Sequence, residues 1–164
     1  MRAQGNRTLW VSAIGVLLVT AYAVLAALQI TIWTPLAAAP GLSLAEIRAE
    51  MSAAGENPGE AAVATFLGAG IAIAVIAAIV LARGRAHPAL AVLAFAVILA
   101  MGAPAFFVAS FGPGMALADT FFVSAGVTLP GVAAYYLASA LMLPVIAGTA
   151  FAWVVGPRRP AVAG

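Results

Sequence analysis

The chain has 164 residues, of which 65% are hydrophobic and only 7% are charged, with a formal net charge of +2. Soluble domains carry about 25% charged residues, so this composition cannot supply a water-facing surface. There is no cysteine and a single histidine, which excludes disulfides, thiol redox chemistry and cysteine- or histidine-rich metal sites. We therefore expect an all-α integral membrane protein with one compact domain, in contact with the lipid bilayer and with no nucleic-acid partner.

Apolar runs predict four membrane-spanning helices. A helix needs about 20 apolar residues to cross a hydrocarbon core of roughly 30 Å. The first run has Trp10 and Trp33 near its ends, as expected for indole rings at the two membrane interfaces. The predicted spans, within a single domain of residues 1–164, are about 9–33, 60–82, 88–111 and 130–155.

The N-terminal segment also shares a basic start and small residues such as Ala21 and Ala23 with signal peptides. Its apolar run of about 24 residues exceeds the roughly 7–15 residues of a signal-peptide core, which favours a retained span. Cleavage stays an open alternative, and it would leave the orientation of the other spans unchanged.

Charged residues predict the orientation of the spans. Arginines precede the first span, separate the second from the third and follow the fourth, so they share one side, whereas the other side carries every acidic residue and only Arg48. Loops rich in arginine stay in the cytoplasm, so both termini are predicted to be cytoplasmic. The lack of lysine and the abundance of alanine favour the cytoplasmic membrane of a bacterium. The arginines of the basic side are Arg2, Arg7, Arg83, Arg85, Arg158 and Arg159.

The segment "PGLSLAEI" at residues 40–47 predicts a short amphipathic helix on the outer side. Ser43 and Glu46 have the S-x-x-E spacing of a capping box, in which each side chain accepts a hydrogen bond from an otherwise unpaired backbone amide. The helix is expected to end near Ala54, before Gly55. Its apolar face comprises Leu44, Ile47, Met51 and Ala54.

Further caps are predicted in the outer loops. Asn57 has the position of an N-cap for the second span, with Pro58 as first helical residue and Glu60 completing a second capping box. Asp119 is expected to cap a helix end in the second outer loop, because acidic side chains are favourable in the first turn.

The phrase "PGMALADT" at residues 113–120 matches "PGLSLAEI", and two shorter matches follow in the same order. This pattern favours a tandem duplication of a two-helix hairpin, with halves 1–84 and 85–164 that keep the same orientation. Chance matches in a chain rich in alanine, glycine and proline are the open alternative.

Small residues recur every four positions in the second and fourth spans. Such ridges let helix backbones approach closely, and membrane helices associate through this packing. We predict that both ridges are packing or interface surfaces, with chance regularity as the alternative. The ridge residues are Gly70, Ala74 and Ala78 in the second span and Ala140, Pro144, Gly148 and Ala152 in the fourth. Pro104 and Pro144 are also expected to interrupt their helices.

No catalytic constellation, cofactor site or metal site is visible, so we do not expect an enzyme. Apart from Glu60 at the boundary of the second span, no Asp, Glu, Lys, Arg or His lies inside the predicted spans, which disfavours proton relays and ion pathways. The leading hypothesis is an accessory or scaffold subunit that acts through helix–helix and outer-loop contacts with a membrane protein or a second copy. The alternative is an oligomeric transporter or channel for a neutral or lipid-like substrate. It would require a polar cavity lined by Gln29, Thr31, Tyr135 and Ser139.

The predicted orientation can be tested directly because the chain has no native cysteine. With Arg48→Cys, a membrane-impermeant maleimide should label intact cells. With Arg85→Cys, it should label only after the cells are permeabilised. Labelling of position 85 in intact cells would show that the orientation is the reverse of the predicted one.

Overall fold

A computed structural model describes residues 2–123 and 131–155, and within this part every regular element is helical. This confirms the predicted all-α class. In chain order the elements are α1 (Arg2–Leu28), a π-helical turn (Gln29–Trp33), α2 (Thr34–Ala38), α3 (Leu44–Ala53), α4 (Glu60–Arg83), α5 (Pro88–Ala100), α6 (Gly102–Phe121), α7 (Val132–Ala140) and α8 (Met142–Val155).

These elements form four helices that are long and apolar enough to cross a membrane. The first long helix runs from α1 through the π-helical turn into α2, the second is α4, the third joins α5 to α6, and the fourth joins α7 to α8. Their apolar extents are Gly5–Ala38, Glu60–Arg83, Pro88–Phe121 and Val132–Val155.

Proline explains where the long helices are interrupted. A proline ring clashes with the carbonyl one turn earlier and cannot donate to it. The α-helical pattern breaks at Met101, less than one turn before Pro104, and at Leu141, less than one turn before Pro144. Both predicted interruptions are confirmed. The π-helical turn, which the sequence analysis did not anticipate, likewise lies just before Pro35.

The first and third long helices extend further than predicted. The first continues past Trp33 to Ala38, and the third continues past Phe111 to Phe121. The phrase "PGMALADT" therefore lies inside α6, and its predicted position in the second outer loop, after the end of the third span, is wrong. Pro113 removes only one hydrogen bond from a helix already formed before it.

Burial further favours continuation of α6, because Pro113 and the next residues on its face, Ala116 and Leu117, are buried against the rest of the chain. By contrast, the earlier phrase "PGLSLAEI" contains a true break, since Gly41 has φ +95° and Ser43 is extended. The two phrases thus have different conformations. The tandem duplication itself stays a prediction.

The core lies between the first and third long helices and the elements that pack on them. The second long helix packs on both, and α7 and α8 pack chiefly on the third. The main cluster joins Ala26 and Ile30 of the first long helix to Val63 of α4, Phe106 of α6 and Tyr135 of α7.

Two glycines allow the closest approaches in this core. A Cβ at Gly15 would lie inside contact distance of the Phe95 ring. A Cβ at Gly102 would lie 2.7 Å from Cζ of Tyr22 and 3.0 Å from Oγ of Ser139. The first, third and fourth long helices therefore meet at the start of α6, where only glycine fits.

Charge separates to opposite ends of the helices. The Thr8 hydroxyl donates to the carbonyl of Ala86 at 2.8 Å, which holds the start of α1 beside the loop that carries Arg85. We call this the basic end. The opposite end, which we call the acidic end, carries α3 and the contact of Arg48 with Glu60. Arg158 and Arg159 lie outside the described residues.

Gly102→Ala is expected to destabilise the protein by about 1–3 kcal/mol, the usual cost of overpacking, because the added methyl clashes with the Tyr22 ring. Gly112→Ala on the same helix is the matched control, since its methyl meets no atom within 4 Å. Reversible unfolding in mixed detergent micelles measures both variants. Equal stabilities would contradict the close approach.

Candidate functional site

An aromatic cluster joins three of the long helices. The Tyr135 ring stacks on Phe106 with centroids 4.7 Å apart, and Tyr22 meets Tyr135 edge-on at 5.5 Å. The Tyr135 hydroxyl donates to the carbonyl of Leu25 at 2.8 Å, which satisfies its polar tip in an apolar setting. These contacts fasten α7 to α1 and α6.

The other interior polar side chains are also held by packing. The Gln29 amide nitrogen donates to Oγ1 of Thr34 at 3.3 Å, within the same long helix. The Thr31 hydroxyl donates to the carbonyl of Ala27 at 2.8 Å, a common local bond in helices. Ser139 is buried beside Gly102. The residues proposed to line a polar cavity are therefore engaged in contacts within and between the packed helices.

At the acidic end, α3 begins with the capping box that the sequence predicts. The Ser43 backbone N–H donates to Oε2 of Glu46 at 2.7 Å, and the Glu46 N–H donates to Oγ of Ser43 at 3.3 Å. The hydrogen bonds from the Ser43 side chain and backbone hold the pKa of Glu46 below its ordinary value, because they favour the carboxylate. The cap therefore stabilises α3 while Glu46 is ionised.

The apolar face of α3 lies on the body of the protein. Ile47 and Met51 are buried, and they pack against Ala39 at the end of the first long helix and against Ala116 and Leu117 of α6. The extension of α6 beyond its predicted end creates this surface. The amphipathic helix thus docks on the helical body.

The second predicted capping box is wrong. The Asn57 side chain accepts from the N–H of Gly59 at 2.8 Å, and Gly59 has φ +69°, so α4 begins only at Glu60. Glu60 instead accepts from Arg48, whose Nη2 lies 2.6 Å from Oε1. The left-handed glycine breaks the helical register that a capping box needs, and the guanidinium provides a charged donor.

Sequence spacing could not reveal the Arg48–Glu60 pair because its members belong to different elements. The one signal was that Arg48 is the only base among the acids of that side. Both side chains are 42% exposed, so the pair contributes about 0.2–1 kcal/mol. It ties α3 to the start of α4.

Asp119 is not a helix-start cap. It lies exposed in the last turn of α6, because that helix continues through Pro113 to Phe121. An acidic side chain is unfavourable near the negative end of the helix dipole. The prediction that Asp119 caps a helix start is therefore wrong, because α6 extends to Phe121 and places Asp119 in its last turn.

The ridge on α4 is turned toward the protein. Ala74 is fully buried with Val19 of α1 and Phe95 of α5, and Gly70 and Ala78 are half-buried. Close packing of small residues at this spacing is typical of apolar helices.

The ridge on the fourth long helix faces away from the rest of the protein. Its members Ala140, Pro144, Gly148 and Ala152 are all exposed. α8 packs on α5. Ile146 of α8 is half-buried, and the exposed Gly148 lies roughly 200° around the helix from it. We call this exposed set of small residues the α8 ridge.

An aromatic contact supports this orientation of α8. The Trp153 ring meets His87 edge-on with centroids 5.9 Å apart. His87 is also the N-cap of α5, since its Nδ1 accepts from the N–H of Ala89 at 3.2 Å. His87 therefore has a structural role at the basic end.

Within residues 2–123 and 131–155, no three histidine or acidic side chains cluster as metal ligands would. Comparison with protein-family models, curated proteins and solved structures finds no match for this chain. We take the α8 ridge as the candidate functional site because of its geometry: it is a helix face of small residues that the described part of the chain leaves uncovered.

The cap on α3 predicts a pH dependence. Because the folded-state pKa of Glu46 is lowered, its stabilisation is complete above about pH 4.3, the ordinary value for glutamate, and is lost as the pH falls through the lowered pKa. Hydrogen exchange at the α3 amides, corrected for its intrinsic pH dependence, should accelerate in that range. Glu46→Gln, which does not titrate, should remove the transition; an unchanged transition would contradict the assignment.

Proposed function

We propose that the chain is a multi-pass protein of a bacterial cytoplasmic membrane, with the basic end in the cytoplasm. Four long apolar helices support this proposal, because each is long enough for a hydrocarbon core of roughly 30 Å. Large apolar side chains such as Trp10, Leu17, Val80 and Phe151 are well exposed along them, as lipid contact requires. The grouping of arginines at one end supports the orientation.

We further propose that the protein is an accessory or scaffold subunit that binds another membrane helix through the α8 ridge. The exposure of the fourth long helix is the main support for this proposal. Only 6% of the most apolar stretch of this helix is buried, against 28% of the corresponding stretch of the first long helix. Small residues facing outward at four-residue spacing offer a partner backbone a close approach. The partner is a second membrane protein or a second copy of this chain.

The transporter alternative has less support from the geometry. Such a protein needs a polar path, whereas Gln29 and Thr31 bond within their own helix and Tyr135 is closed off by its stacking on Phe106. The contacts of Gln29 and Thr31 stabilise their own helix, and those of Tyr135 connect α7 to its neighbours.

Gly148→Leu tests the scaffold proposal. The leucine side chain would project from the α8 ridge and hold a partner helix away, while a Cβ at this position has no described atom of another element within 4 Å. Affinity purification from native membranes should show a stoichiometric partner or a second copy with the unaltered chain, and about a ten-fold loss with the variant, since close packing drives such association.

Ala147→Leu is the matched control. Ala147 is exposed on the same helix and lies roughly 100° around it from both Gly148 and Ile146, outside the ridge and outside the face that packs on α5. It should retain the complex. Recovery of only the isolated chain before any substitution, or equal losses in both variants, would overturn the proposal.

A further inference from the structure

A seam between α4 and the third long helix contains two hollows that share Phe66. The deeper hollow has a volume of about 340 Å³ and lies beside the break at Met101. Residues of α1 also line this hollow, and its lining is apolar apart from Tyr22 of α1. On α4 the lining includes Gly70 and Ile73. A Cβ at Gly70 would meet no atom within 4 Å, so the hollow is open at that residue.

The second hollow opens at the acidic end. It has a volume of about 380 Å³ and lies between the start of α4 and the part of α6 around Gly112. Glu56 and Asn57 line its mouth, and Ala62 and Phe66 line its apolar part. The seam is therefore polar at the end of the helices and apolar toward their middle.

The dimensions of the seam suit a hydrocarbon chain. Ala62 and Ile73 are separated by roughly 17 Å along α4, close to half of a hydrocarbon core of roughly 30 Å. The deeper hollow of about 340 Å³ follows α4 for roughly 10 Å, so its cross-section is on the order of 30 Å². A helix with side chains is about 10–12 Å across and is too wide for it.

The charge at the mouth selects the headgroup. Glu56 is acidic, and Arg48 on neighbouring α3 is already paired with Glu60. This arrangement repels an anionic headgroup and attracts an ammonium group. A lipid whose amine lies at the mouth would place its acyl chain along Phe66 toward Gly70.

We propose that the seam between α4 and the third long helix binds one lipid with an amine-bearing headgroup, its acyl chain in the two hollows and its ammonium near Glu56. The proposal rests on the membrane location proposed above and is independent of the α8 ridge. The lipid would fill the space beside the break at Met101, which residues 2–123 and 131–155 leave open.

Native mass spectrometry of the purified full chain tests the tail site. The chain is released from nanodiscs that hold equal amounts of 1-palmitoyl-2-oleoyl phosphatidylethanolamine and the corresponding phosphatidylglycerol. Gly70→Phe should lower retention of phosphatidylethanolamine about ten-fold, as expected when about two methylenes lose their contacts. Gly68→Phe is the matched control: Gly68 is exposed, lies roughly 200° around α4 from Gly70, and also has open space at its Cβ.

Glu56→Gln tests the headgroup contact. It should lower the preference for phosphatidylethanolamine over phosphatidylglycerol about five-fold, the effect of one charge near a membrane surface. Glu50→Gln, which changes an exposed acid of α3 outside the hollows, should leave the preference unchanged. Gly148→Leu should retain the lipid, which separates this site from the α8 ridge.

Three results would overturn the proposal. The first is equal retention of the two lipids by the unaltered chain. The second is equal lipid retention by Gly70→Phe and Gly68→Phe. The third is that Gly70→Phe retains the lipid but no longer binds a second copy of the chain. This result would show that a protein, and not a lipid, occupies the seam.

Discussion

Close backbone approach at small residues is the interaction on which this structure depends. The four long helices are apolar enough to cross a membrane. In the membrane location that we propose, lipid is the alternative neighbour, so contact between the helices gains little from the hydrophobic effect. Dispersion contacts at short range must supply the attraction instead. Gly15 against Phe95 and Gly102 against Tyr22 are the places where this is most evident, because no side chain larger than glycine fits.

Hydrogen bonds from interior polar groups stabilise this packing further. Burying an unpaired hydroxyl costs free energy, and the hydroxyls of Tyr135 and Thr31 avoid this cost by donating to the carbonyls of Leu25 and Ala27. The bond from Tyr135 to Leu25 joins α7 to α1, and the stacking of Tyr135 on Phe106 joins α7 to α6. The two contacts that we propose lie on the outer surfaces: the α8 ridge for a partner helix and the seam along α4 for a lipid.

Local sequence signals were reliable where a single element contains the whole interaction. The capping box of Ser43 and Glu46 and the interruptions before Pro104 and Pro144 are of this kind. Signals failed where two elements compete for one group. Glu60 pairs with Arg48 and not with the backbone at Asn57, and Pro113 stays helical because the buried face of α6 continues beyond it.

Hydropathy and charge in the sequence by themselves determined the number of long helices, the helical class and the separation of arginines from acids, because these depend only on side-chain type and run length. Only the tertiary structure decided which small-residue ridge is buried. Ala74 and Gly148 carry the same signal in the sequence, yet Ala74 lies in the core and Gly148 faces outward. The physical reason is that a helix face acquires its role from the partner opposite it, and α8 packs on α5 with its other side.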